Sequence, residues 1–151
     1  MKKLLILFLA FLGLSYTVVA QSTYDEALAK KLGADERGMK KYVMAFLLRG
    51  DRVAEYTPEK RQEIQAGHMA NISKMADMGK LIVAGPFFGN DDLRGIYIFD
   101  VQTLEEAKAL TETDPAIQAG VLKMDLKEWY GSAALMMVNE IHGKIAKGSV
   151  Q

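Results

Sequence analysis

The stretch from Lys41 to Arg49 constrains the fold most, because Val43, Phe46, Leu47 and Leu48 leave neither face of a strand polar. Side chains alternate between the two faces of a strand, so apolar residues on both demand cover on both. In a chain of 151 residues, helices are expected to cover one side. The other side is expected to meet a second copy of the protein, making a homodimer.

The segments that follow alternate in type. Thr57 before Pro58 is a helix start, with a hydroxyl placed to cap free amides and a proline tolerated in the first turn. That helix is expected to run to about Met78 and stop at Gly79. Lys80 to Gly85 reads as a short strand, Pro86 to Asp92 as a turn-rich loop, and Arg94 to Val101 as a second strand, together a hairpin. Thr103 with Glu106 is a capping box opening a helix whose Leu104, Ala107 and Leu110 share one side. Asp114 and Pro115 begin one more helical turn, and Val121 to Tyr130 is the last strand. The order is that of an α+β, ferredoxin-like βαββαβ sandwich: a four-stranded antiparallel sheet with two helices on one face. Ser132 to Ile145 is an extra C-terminal amphipathic helix, with Leu135, Val138, Ile141 and Ile145 on one stripe, packing on the domain or across a dimer.

The N-terminus reads differently. Lys2 and Lys3 are followed by the apolar run Leu4 to Leu14, and Val18-Val19-Ala20 precedes Gln21, the pattern of a cleaved signal peptide over residues 1–20. The run is too short for a permanent bilayer anchor, so no stable membrane anchor is expected after cleavage. The chain thus divides into a signal peptide (1–20), a polar segment (21–38), the main domain (39–131) and a C-terminal extension (132–151). Tyr24, Leu28 and Leu32, spaced by four, suggest a loosely attached helix ending near Gly33. The expected destination is a bacterial periplasm or the exterior. Taking Lys2 and Lys3 from 19 basic residues leaves 17 against 19 acidic ones, which offers no electrostatic case for nucleic acid. With no cysteine, an exported life brings no disulfides.

One residue of the first long helix carries the chemical interest. On a helical wheel Ile64, His68, Ile72 and Met75 share a face, while Gln62, Ser73 and Asp77 point away. His68 therefore faces the core, and a buried imidazole without a hydrogen-bond partner costs about 1–3 kcal/mol. Asp114 is the candidate partner. An imidazole can accept and return a proton near neutrality, and a carboxylate on one ring nitrogen leaves the other for a small-molecule substrate. A purely structural pairing is equally open, since Asp114 before Pro115 is an N-cap in its own right. Arg61, two turns before His68 on nearly the same side, either holds an anionic group of a substrate or is a surface arginine. Gly85, Pro86 and Phe87 are candidates for the mouth of a pocket, and Asn71 for a second polar group beside the histidine. His68 and His142 are the two histidines and are far apart. No spaced ligand pair, nucleotide-binding glycine pattern or serine-hydrolase elbow occurs, so neither a metal nor a cofactor is expected.

Arg61 to His68, Ala84-Gly85-Pro86, Leu104-Glu105-Glu106-Ala107, Asp114-Pro115 and Glu128-Trp129 follow one another in an order that resembles the YCII-related family over about Met39 to Trp129. The resemblance implies a dimeric α/β barrel, with the family's proposed histidine and aspartate dyad falling on His68 and Asp114. It further implies, for an enzyme, acid and base catalysis without a cofactor, of lyase, isomerase or dehydrochlorinase type. The alternatives are a non-catalytic module of the periplasm that binds a small ligand or a partner, and a domain that uses its C-terminal helix to bind a larger partner.

Overall fold

The computed structural model describes residues 24–148, so the expected signal peptide lies outside the described residues. The elements are α1 (Glu26–Leu32), β1 (Met39–Arg49), α2 (Pro58–Asp77), β2 (Leu81–Pro86), β3 (Leu93–Phe99), α3 (Leu104–Thr111), α4 (Pro115–Gln118), β4 (Leu122–Ser132) and α5 (Val138–Ile145). Short 3-10 turns at Val53–Glu55 and Ala133–Met137 precede α2 and α5. The four strands form one antiparallel sheet in the order β2-β3-β1-β4. With βαββαβ at the centre of the chain, this is the ferredoxin-like arrangement.

Local chemistry sets the element ends. The Thr57 hydroxyl accepts from the Lys60 amide, with Pro58 opening α2. Gly79 follows α2 at φ +68°, the left-handed conformation that ends a helix and suits a residue without Cβ. At α3 the Thr103 hydroxyl accepts from the Glu106 amide, but the Glu106 carboxylate reaches past the cap to the Gln102 amide and pairs its other oxygen with Lys80 at 2.9 Å.

β1 is apolar on both faces. Val43, Ala45 and Leu47 join Tyr97 and Phe99 of β3, Leu81 of β2, Met75 of α2 and Ala107 of α3 in the core, so both helices cover one face of the sheet. Burial of each large apolar side chain there contributes about 1.5–3 kcal/mol. Tyr42, Met44, Phe46 and Leu48 alternate onto the second face. That face, expected to meet a second copy of the protein, is partly covered by the chain itself. The segment after β4 folds back over one end of the sheet: the Tyr42 hydroxyl donates to the Ser132 carbonyl at 3.1 Å, and the Asn139 side-chain amide donates to the Leu81 carbonyl at 2.9 Å. The extension expected as one helix is a 3-10 turn followed by α5. The remainder of the face, around Met44, Phe46, Leu48 and Ile96, is half-buried.

Candidate functional site

Ile64, His68, Asn71 and Met75 form the buried stripe of α2, repeating at the helical period, and the stripe turns His68 toward the sheet. Gly67, beside it, lets α4 approach: a methyl group there would sit 3.0 Å from Cγ of Pro115. The close packing of α4 on α2 brings in Asp114, the N-cap of α4, which is completely buried.

Both oxygens of that carboxylate are used. Oδ1 accepts from the Ala116 amide at 2.8 Å, capping α4, and Oδ2 lies 2.7 Å from Nδ1 of His68. A carboxylate accepts only, so the neutral imidazole carries its proton on Nδ1 and turns a lone pair outward on Nε2. Opposite Nε2, at 3.3 Å, is the hydroxyl of Tyr97, with the two rings nearly parallel. Burial, and secondarily the negative charge of Asp114, push the Tyr97 phenol far above its ordinary range. Tyr97 therefore stays a protonated donor at neutral pH. The result is a line of three groups, from carboxylate through imidazole to phenol.

A cleft of about 330 Å³ opens on this line, bordered by His68, Tyr97, Met69, Ile72, Leu47 and Gly95. Gly85 and Pro86 border it as well, whereas Phe87 does not and is close to half exposed. Phe87 lies just past the end of β2, where the chain passes into the exposed stretch 87–92. Asn71 also misses the cleft; it is buried beneath α4, where its Oδ1 accepts from the Thr113 hydroxyl at 3.0 Å. Arg61 borders a separate cavity of about 160 Å³, together with Arg49 and Arg94. Gln65, Arg94 and Leu122 border both spaces, which makes them neighbours. Tyr97, Gln65, Arg49 and Arg94 were not singled out from sequence.

Fold and site together define an α+β domain with a buried histidine and aspartate pair at the floor of a small cleft. The chain belongs to the YCII-related family: the model for the YCII-related domain matches residues 42–130, from β1 into β4, and takes in both His68 and Asp114. Among similar proteins is the uncharacterized protein YjpA of Bacillus subtilis (strain 168), 32% identical over 73 residues, which make up 48% of this chain and 84% of that protein. Among solved structures, 5-chloro-2-hydroxyhydroquinone dehydrochlorinase (TftG) of Burkholderia phenoliruptrix AC1100, in complex with 2,5-dihydroxybenzoquinone, aligns with a TM-score of 0.44 and 20% identity, covering 60% of this chain and 93% of that one.

Proposed function

We propose that this protein is an exported, homodimeric member of its family that moves protons on a small molecule through His68, by lyase, isomerase or dehydrochlorinase type chemistry. The observation that carries the reading is the Nδ1 to Asp114 hydrogen bond of 2.7 Å on a ring that borders a cleft. A base is useful when its tautomer is held and its free nitrogen can reach a substrate. Asp114 holds the tautomer, His68 takes and returns the proton, and Tyr97 supplies a neutral donor to an oxygen on which charge develops. Side chains alone supply these groups.

A second reading, a non-catalytic ligand-binding or interaction module, draws on the same distances. His68 is only 7% exposed, and its Nε2 already faces a phenol, which would satisfy the ring without any substrate. The tautomer is the first point to test. Nitrogen-15 NMR on the neutral rings is expected to show His68 with its proton on Nδ1, and Asp114→Asn is expected to move that proton to Nε2. His142, exposed on α5, serves as the reference. An Nε2–H tautomer in the unaltered protein would remove the base from the cleft and reject the catalytic reading.

The homodimer rests on the half-buried apolar surface left by the C-terminal segment. Met44, Phe46, Leu48 and Ile96 form its middle, and Lys123, Asp125 and Lys127 of β4 border it, an apolar centre with a charged rim of the kind that interfaces use. Phe46→Asp would place an unpaired charge at its centre. Sedimentation is expected to show a dimer that becomes a monomer in Phe46→Asp; a monomer at all concentrations in both would rule out the pairing. Export is read from residues 1–20, and the mass of the protein recovered outside the cytoplasm is expected to begin at Gln21.

A further inference from the structure

We infer that the small cavity beside the histidine cleft is an anion subsite, so that the substrate or ligand carries a carboxylate or phosphate group that sits among Arg49, Arg61 and Arg94. This deepens the reading above and rests on it for the reacting end of the molecule, but the anion site stands on separate residues. Three arginines border a space of about 160 Å³ in a chain whose basic and acidic residues balance at 19 each. Among the described residues, no acidic side chain borders either this space or the cleft.

The partners of the three arginines are largely neutral. Arg94 donates to the Asp91 carbonyl at 3.2 Å and lies 3.5 Å from the Asn90 side-chain oxygen. Arg49 donates to the carbonyl and side-chain oxygens of Asn90, and among the described residues the one ion pair of the three is its 3.6 Å contact with Asp92. Among the described residues, the Arg61 guanidinium makes no hydrogen bond or ion pair, and no carboxylate pairs with Arg94. Like charges gathered at one concave site repel, and an oxyanion placed between them replaces that repulsion with charge-assisted hydrogen bonds. Guanidinium forks match the two oxygens of a carboxylate or the edges of a phosphate.

The placement also fits the chemistry. Arg61, Gln65 and His68 follow one another along α2 at the helical period, and seven residues of rise put Arg61 about 10 Å from His68 along the axis. Arg94 and Gln65 border both spaces. A molecule a single ring long, with its anionic end at Arg61 and Arg94, would present its other end to Nε2. The arginines would then set the orientation and select for charge, while the histidine does the chemistry.

The test uses three probes of similar size: benzoate, phenyl phosphate and neutral benzamide, titrated into the full mature protein by calorimetry. At least one anion is expected to bind about tenfold or more tightly than benzamide, with the preference shrinking as salt is raised. The tighter of the two anions tells a carboxylate ligand from a phosphate one. Arg61→Gln with Arg94→Gln is expected to erase the preference, and Lys60→Gln, which removes an exposed charge paired with Glu63, is expected to leave it intact. Equal binding of all three probes, no binding of either anion at millimolar concentration, or a preference that survives the double substitution would overturn the subsite. His68→Gln is expected to retain the preference, so a failed base and a failed anion site give different results.

Discussion

Replacing Asp114 by Ala is expected to lower the folding stability by about 3 kcal/mol, a large share of the roughly 5–15 kcal/mol typical of a domain. Two losses combine. The Ala116 amide loses the acceptor that caps α4, worth about 1 kcal/mol. Nδ1 of His68 is left without a partner in a site from which water is excluded, at about 1–3 kcal/mol. With a urea dependence of roughly 2 kcal/mol per molar, the unfolding midpoint is expected to fall by about 1.5 M. Asp114→Asn is the informative companion. Its side-chain oxygen still caps Ala116 and its amide can donate to Nδ1, so most of the stability is expected to remain while the tautomer reverses. A midpoint unchanged in Asp114→Ala would show that the buried pair adds nothing to folding, and the geometric account of the site would fail with it.

The parts legible from sequence are those governed by local rules. The period of α2 turned His68 inward, and the rule that buried polar groups need partners called for one, which the resemblance to the YCII-related family placed at Asp114. The inward turn follows from chemistry that a single segment carries; the partner, 46 residues away, does not. Tyr97 was not legible because β3, like β1, is apolar on both faces; alternation says that neighbours differ in side but not which side meets α2. Arg49 and Arg94 come together because β1 and β3 are paired, with a register shift just where Leu47 meets Gly95 and Leu48 meets Leu93. No local signal in either strand announces that irregularity. Phe87 was assigned to the pocket on proximity in sequence, but it begins the exposed stretch 87–92 that follows β2. The second face of the sheet was assigned to a second copy, with the extension left to pack on the domain or across the dimer; the segment from Ser132 onward supplies part of that face's cover.

His68→Gln is expected to slow proton transfer by about 10²–10⁴-fold, the range that a positioned acid or base contributes. Deuterium uptake from heavy water into small molecules with acidic C–H bonds measures that step directly, without knowledge of the product. The comparison among variants carries the argument. Glutamine keeps a hydrogen-bonding side chain on α2 facing Asp114, so the urea midpoint of His68→Gln is expected to stay close to that of the unaltered protein while exchange is lost. Asp114→Asn is expected to lose exchange to a similar degree, because the ring would then point an N–H rather than a lone pair at the substrate. Tyr97→Phe removes the donor but leaves the base, and its loss is expected to be the smallest of the three. If a compound exchanged by the unaltered protein is exchanged equally by His68→Gln, the base lies elsewhere and the buried pair is structural. If His68→Gln instead collapses the fold, the ring's hydrogen bonds serve packing first, as the non-catalytic reading requires.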